Sequence, residues 1–199
     1  MNRLSRADLW SLEEYAEKRA QFRARVMQHK KHRQVALGEN ARLYFEDVLT
    51  IRYQIQEMLR IEKVFEADAI NEELDAYNPL IPDGSNWKAT FMLEYADPTE
   101  RAQQLERLLG IEDRVWLQVQ DCERIYPIAD EDLDRSRADK TSSVHFLRYE
   151  LAPTMIAAVQ RGATISAGID HPAYTVGGVP LDGPTRDSLA ADLAPASIN

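Results

Sequence analysis

The spacing of apolar residues changes midway along this chain, and the change constrains the fold more than any other feature. Before residue 77, apolar residues recur every three or four positions, the spacing of one helix face. Over residues 87–95 the apolar positions alternate with mostly polar ones, as on a half-buried strand. Helices first and antiparallel strands afterwards predict an α+β fold, with an N-terminal helical layer packed on a mainly antiparallel sheet.

Turn and capping residues divide the chain into elements. Ser11 and Glu14 have capping-box spacing and begin a helix over residues 11–33. Further helices are predicted over residues 50–66, 67–77, 97–110 and 153–162. Strands are predicted over residues 35–37, 41–45, 87–95, 114–120, 124–128, 142–151 and 163–169. We therefore predict one domain over residues 1–171, mainly helical over 1–82 and sheet-forming over 83–171, and a C-terminal tail over 172–199 with one short helix.

The two long helices carry charged residues within their apolar faces. In the first, Arg19 and Arg23 lie inside the apolar face. In the second, Glu62 lies inside the stripe formed by Ile51, Ile55, Met58, Ile61 and Phe65. A carboxylate in such a place must be paired, protonated or bound to a ligand. We therefore expect Glu62 within salt-bridge distance of Arg19 or Arg23.

These charges are compatible with two roles, and both stay open. A buried ion-pair network would hold the two helices in register. Alternatively, the arginines bind an anionic ligand, or the carboxylates bind a metal. The candidate ligand-binding residues are Arg19, Arg23, Arg52, Gln56, Glu57, Arg60 and Glu62.

His145 and His171 are the candidate metal ligands, because each lies on or just after a predicted strand. A metal site requires both imidazoles to converge with a carboxylate such as Asp170 or Glu62, and iron, zinc or manganese suits such ligands. A lone histidine on an apolar strand face is more often a hydrogen-bonded core residue. We therefore expect His145 in the core and His171 in a turn, with the metal site as the alternative.

Charge and composition limit the partners and the compartment. The net charge of −9 argues against a nucleic-acid partner, since phosphate binding needs a basic surface. No apolar run approaches the ~18–20 residues that span a membrane. The first ten residues lack the apolar stretch of a signal peptide, and the single cysteine, Cys122, excludes an intramolecular disulfide. We therefore expect a cytoplasmic protein; the sequence identifies no cofactor.

Five segments of the chain are distinctive: LEEYAEKRAQFRARVMQHKKHRQVALG, YQIQEMLRIEKVFEADAINEELDAYNPLIPDGSNWKATFMLEY, GIEDRVWLQV, SSVHFLRYEL and GIDHPAY. Over about residues 3–175 they resemble an uncharacterised bacterial family, a domain of unknown function. Members of that family are often encoded beside rubrerythrin-like di-iron proteins and iron–sulfur reductase-like proteins. The resemblance implies a role linked to redox or peroxide stress and a partner of one of those kinds. It carries over no catalytic residues.

Two hypotheses of function follow. The first is a cytoplasmic, non-catalytic accessory or binding protein with an internal Arg/Glu site, working with a redox partner. The alternative is an enzyme, with or without a metal, that uses His145 and His171 with a carboxylate. Bound metal in the purified protein would favour the enzyme, and stable co-purification with a di-iron or iron–sulfur protein would favour the accessory protein.

Overall fold

The N-terminal part of the protein forms the expected helical layer. A computed structural model describes residues 3–131, 135 and 139–194. Its long helices are α1 (Leu12–Lys30), α2 (Val48–Glu62) and α3 (Ala67–Tyr77). The Ser11 hydroxyl accepts a hydrogen bond from the Glu14 N–H at 3.2 Å, so the predicted capping residue begins α1. Within the described part of the chain, no helix is long and apolar enough to cross a lipid bilayer.

Helix α2 ends earlier than the predicted range of 50–66, and it buries a different face. Lys63 has a φ of 55°, the left-handed conformation that commonly terminates a helix. Ile61 and Phe65 are 63% and 70% exposed. The buried positions of α2 are Thr50, Ile51, Ile55, Gln56 and Leu59. The predicted stripe is therefore wrong in its C-terminal half, because burial follows the segments packed against α2 and not apolar spacing alone.

The described strands form two antiparallel sheets, whereas one mainly antiparallel sheet was predicted from the sequence. The strands are β1 (Gln34–Ala36), β2 (Ala41–Glu46), β3 (Asn86–Leu93), β4 (Val115–Val119), β5 (Arg124–Ile125), β6 (Ile128–Ala129), β7 (Val144–Glu150), β8 (Ile165–His171) and β9 (Tyr174–Pro180). Three further helices are α4 (Pro98–Arg107), α5 (Pro153–Gln160) and α6 (Gly183–Ala190). Sheet A has the order β1-β2-β3-β7-β6, and sheet B has the order β5-β4-β8-β9. Helices and antiparallel sheets together confirm the α+β class.

The main hydrophobic core lies between the two sheets. Phe45, Trp87 and Phe91 of sheet A belong to one buried cluster with Leu117 and Ile169 of sheet B. The helical layer has separate apolar clusters of its own, one of them built around the buried face of α2. The surface where this layer meets sheet A is therefore not part of a continuous apolar core, and it has room for polar side chains.

Residues 172–194 are integrated into the fold, which differs from the predicted tail. Strand β9 pairs with β8 at the edge of sheet B. Leu189 of α6 is fully buried, and its carbonyl accepts a hydrogen bond from the Trp87 indole at 2.9 Å. The Tyr174 hydroxyl donates to the Leu37 carbonyl at 2.9 Å, which ties β9 to the β1–β2 hairpin. The described part of this segment contains one short helix, α6.

Candidate functional site

The charged cluster predicted between the first two helices exists, but its carboxylate is Glu57. The Arg19 guanidinium donates to both Glu57 carboxylate oxygens, at 2.7 and 2.9 Å. The Tyr15 hydroxyl donates to the same carboxylate at 2.6 Å, and Arg60 donates at 3.3 Å. The hydrogen bond from Arg19 is the main reason why the pKa of Glu57 falls to about 2. This geometry corresponds to the ion-pair network that holds α1 against α2.

The prediction that Glu62 pairs with Arg19 or Arg23 is wrong. Glu62 is the last residue of α2, and it is exposed. Arg23 is also exposed, one helical turn beyond Arg19 on α1. The two helices meet with Arg19 opposite Glu57, more than one turn before Glu62, so Arg19 pairs with Glu57 and not with Glu62.

Arg52 and Gln56 lie outside the Arg19–Glu57 network and contact Trp10 instead. The Gln56 side chain is fully buried, accepts from the Trp10 N–H at 2.7 Å and donates to the Trp10 carbonyl at 3.4 Å. The Arg52 guanidinium stacks on the Trp10 ring, 4.2 Å from its centroid. These contacts fix the segment that precedes α1, so the seven predicted ligand-binding residues do not form one site.

His145 is fully buried and hydrogen-bonded, as expected for a core histidine. Its Nδ1 atom lies 2.6 Å from an Asp130 carboxylate oxygen. Its Nε2 atom lies 2.9 Å from the Thr141 hydroxyl and 3.1 Å from the Ser142 carbonyl. The Thr141 hydroxyl in turn donates to Glu112 at 3.0 Å. His145 therefore links the start of β7 to Asp130, which follows β6, and to Thr141, which precedes β7.

His171 lies at a turn and makes a different set of hydrogen bonds. Its Nε2 atom lies 3.2 Å from the Leu109 carbonyl, and its Nδ1 accepts from the Ala173 N–H at 3.2 Å. The neighbouring Asp170 binds Arg124 instead, at 2.7 Å. The two histidines share no hydrogen-bond partner in the described residues. Over residues 3–131, 135 and 139–194, no group of three or more His, Cys, Asp or Glu side chains is arranged to hold a metal ion.

An open cleft of about 770 Å³ lies between the helical layer and the outer face of sheet A. We call it the interlayer cleft. One wall comes from α2 and α3 and carries the acidic side chains of Glu62 and Glu73. The other wall comes from β3 and β7 and carries Lys88 and Arg148. Apolar side chains, among them Met58, Leu80 and Phe146, complete the lining.

Among the cations that line this cleft, Lys88 differs from Arg135 and Arg148 in having no ion pair with the described residues. It lies half-buried on β3, directly between Glu46 of β2 and Arg148 of β7. Glu46 instead accepts hydrogen bonds from two threonine hydroxyls. Glu131 and Glu150 both bind Arg148. Lys88 therefore makes no hydrogen bond or ion pair with the residues that the structure describes.

The environment of the interlayer cleft shifts pKa values on both walls. Burial, with a smaller contribution from Arg148, lowers the pKa of Lys88. Burial, with a smaller contribution from Glu62, raises the pKa of Glu73. Both shifts favour the neutral forms. A lysine and a carboxyl group with such opposed shifts in one cleft are characteristic of a functional site.

Lys88 is not among the predicted site residues, because Lys88 occupies an ordinary polar position of an alternating strand. The one available signal was a cation in the middle of the strand with the clearest apolar alternation. The basic run at residues 23–33 also contains a buried residue. Arg33 in that run is 2% exposed and binds Asp192 at 2.7 Å, which no local pattern indicates.

The comparisons with known proteins identify the family of this chain and assign no function to it. The comparison with curated proteins finds no match. A solved crystal structure of a protein of unknown function from Burkholderia pseudomallei K96243 is similar, with a TM-score of 0.92 and 54% identity over 96% of this chain and 99% of that chain. The sequence model described as "Protein of unknown function (DUF3501)" matches residues 3–193. The chain therefore belongs to the DUF3501 family.

Proposed function

We propose that this protein is a non-catalytic binding protein that holds a small carboxylate-bearing molecule in the interlayer cleft. The observation that carries the proposal is Lys88, a half-buried cation with no direct partner in the described residues, beside a second cation, Arg148. Like charges directly opposite each other on neighbouring strands destabilise a sheet. The charge of Arg148 is matched by Glu131 and Glu150, and a bound carboxylate would give Lys88 the direct partner that the described residues do not supply.

The size and lining of the cleft support a small-molecule ligand. Its volume of about 770 Å³ lies in the range of roughly 300–1,000 Å³ that is usual for ligand sites. Met58 and Phe146 offer apolar surface between the acidic and basic walls. The ligand that fits best has a carboxylate directed at β3 and β7 and an apolar body directed at the helices.

The predicted ligand-binding residues have separate roles in this proposal. Glu62 lines the interlayer cleft and contributes to the acidic wall that a ligand would meet. Arg19, Glu57 and Arg60 are engaged with one another and hold α1 in register with α2. Arg52 and Gln56 fix Trp10. The structure gives no ligand-binding role to Arg23, which is exposed.

The physiological setting of the proposal rests on the family resemblance. We propose a cytoplasmic accessory protein linked to redox or peroxide stress, with a rubrerythrin-like or iron–sulfur protein as its partner. Ile61 and Phe65 are exposed at the end of α2, close to Glu62, and exposed apolar side chains are common in protein contacts. Co-purification of a tagged full chain with such a partner, and its loss in an Ile61→Ser, Phe65→Ser variant, would support this setting. A variant that keeps the partner would contradict the assigned surface.

Carboxylate binding is tested by thermal unfolding of the protein with hexanoate, an aliphatic carboxylate that has no ketone or aldehyde group. We expect a saturable rise in Tm, because a ligand that binds only the folded state stabilises it. Lys88→Met should abolish the rise. Lys31→Met, which removes an exposed lysine at the end of α1, should leave it unchanged. Equal responses of Lys88→Met and the wild type, or no response of either, would refute the proposal.

A further inference from the structure

We propose that Lys88 also captures carbonyl compounds covalently, forming a reversible Schiff base with a 2-oxo acid in the interlayer cleft. The inference rests on the proposed function, because the carboxylate of the 2-oxo acid would occupy the position assigned there to the ligand. It goes further, because it assigns a nucleophile and a substrate class to this cleft.

The contacts around Lys88 leave its amine available for reaction. The neighbouring carboxylates that could bind the ammonium group, Glu131 and Glu150, are both engaged with Arg148. The contrast with Lys18 on α1 is direct, since that ammonium group pairs with Glu14. An amine that forms no hydrogen bond needs to break none before it attacks a ligand.

The position of Lys88 in sheet A also favours the neutral amine, which is the nucleophilic form. The residue lies half-buried on β3, the central strand of sheet A, and lines the cleft. Burial and the cross-strand Arg148 lower the pKa of Lys88, while the charges of Glu131, Asp83 and Glu150 oppose this shift. Desolvation beside another cation is the usual way in which proteins activate a lysine for Schiff-base chemistry.

The reaction balances without an oxidant or a reductant. The Lys88 nitrogen lone pair attacks the ketone carbon, and the carbonyl oxygen takes up a proton to give a carbinolamine. The C–O bond then breaks, the oxygen takes up a second proton and leaves as water, and the nitrogen, which gives up both of its protons over the two steps, forms the C=N bond that joins the ligand to Lys88. Glu73 lines the same cleft, and its carboxyl group can exchange a proton with the departing oxygen.

The test is reductive trapping of the full-length protein with pyruvate and sodium borohydride, followed by peptide mapping of its six lysines. Borohydride reduces an imine to a stable secondary amine, so the modified lysine keeps the mass of the adduct. We expect the adduct at Lys88 in preference to the exposed Lys31. Hexanoate should protect Lys88 by occupying the cleft. Labelling that follows side-chain exposure, with Lys88 labelled no more than Lys31, would overturn the inference.

A Lys88→Arg variant separates this inference from the proposed function. Arginine keeps the positive charge but is not a nucleophile at neutral pH, so the variant should form no trapped adduct at position 88, whether or not hexanoate stabilises it. Hexanoate binding by the wild type without a Lys88 adduct would refute the Schiff base and leave carboxylate binding standing. A selective Lys88 adduct in a protein that hexanoate neither stabilises nor protects would support the nucleophile and refute the proposed carboxylate site.

Discussion

Replacing Arg33 by methionine should strongly destabilise the protein. Arg33 follows α1, is 2% exposed, and donates six hydrogen bonds within the described part of the chain. Two of the six reach Asp192, at 3.1 and 2.7 Å, and the others reach Ser188 and the backbone of β2. The guanidinium therefore connects the end of the helical layer to sheet A and to the C-terminal segment.

The expected loss is about 3–5 kcal/mol in the free energy of unfolding, the usual cost of removing one partner of a buried ion pair. Most of this cost comes from Asp192, because Asp47, which is 3.6 Å from the Arg33 guanidinium, keeps His29 as a partner. Burial raises the pKa of Asp192 to about 6 even though Arg33 opposes the shift. Without Arg33 that pKa rises further. A carboxyl group whose pKa is raised on folding stabilises the folded state at low pH, and that stabilisation is lost as pH rises through the raised pKa. The free energy of unfolding of the variant should therefore fall further below that of the wild type at pH 8 than at pH 5.

Urea unfolding followed by tryptophan fluorescence measures these differences. An Arg33→Met, Asp192→Leu double variant should recover most of the loss, since replacing a buried ion pair by apolar side chains is often close to neutral. Arg23→Met removes an exposed arginine from the same helix and should change stability by less than about 0.5 kcal/mol. A double variant no more stable than Arg33→Met would refute the assignment of the cost to Asp192.

Two further predictions concern α1–α2 and sheet B. The depressed pKa of Glu57 should make the wild type more stable than Glu57→Gln above pH 4.5, and this difference should be lost as pH falls towards 2. The measurement is the free energy of unfolding of both proteins as a function of pH. A difference that does not change with pH would exclude the Arg19 pair as its cause. A Cβ atom on Gly168 would lie 2.2 Å from the Trp116 ring, so Gly168→Ala should lower the free energy of unfolding by about 1–3 kcal/mol. The open Gly177 is the control position, where equal losses on substitution by alanine would contradict the steric explanation.

The sequence predicted elements well where local chemistry determines them. Helix α3 has the bounds of the predicted 67–77 segment. Asp97 caps α4 through a hydrogen bond from the Glu100 N–H at 2.7 Å, with Pro98 at the first helical position, as the Asp-Pro-x-Glu pattern indicates. The β1–β2 hairpin forms around Gly38, whose φ of 80° suits the predicted turn. In each case the signal and the structure lie within a few residues of each other.

The division of the strands into two sheets depends on contacts that are distant in sequence. Strand β9 contains Gly177 and Gly178 and alternates only weakly in burial, so it lacks the period-two signal that identified β3. It is a strand because β8 pairs with it. The segment was therefore predicted as a tail from its Gly, Pro and Ala content.

The candidate site differs from the predicted one because a site needs two elements, and a sequence pattern describes one element at a time. Glu62 attracted attention as a carboxylate among apolar residues, which requires some partner. The position of Lys88 opposite Arg148 is set by the register between β3 and β7, which local patterns do not specify. A charge within an apolar pattern thus indicates that the surface around it meets another part of the fold. The packing of the layers decides what the charge meets: a matched side chain for Arg19, and the interlayer cleft for Glu62.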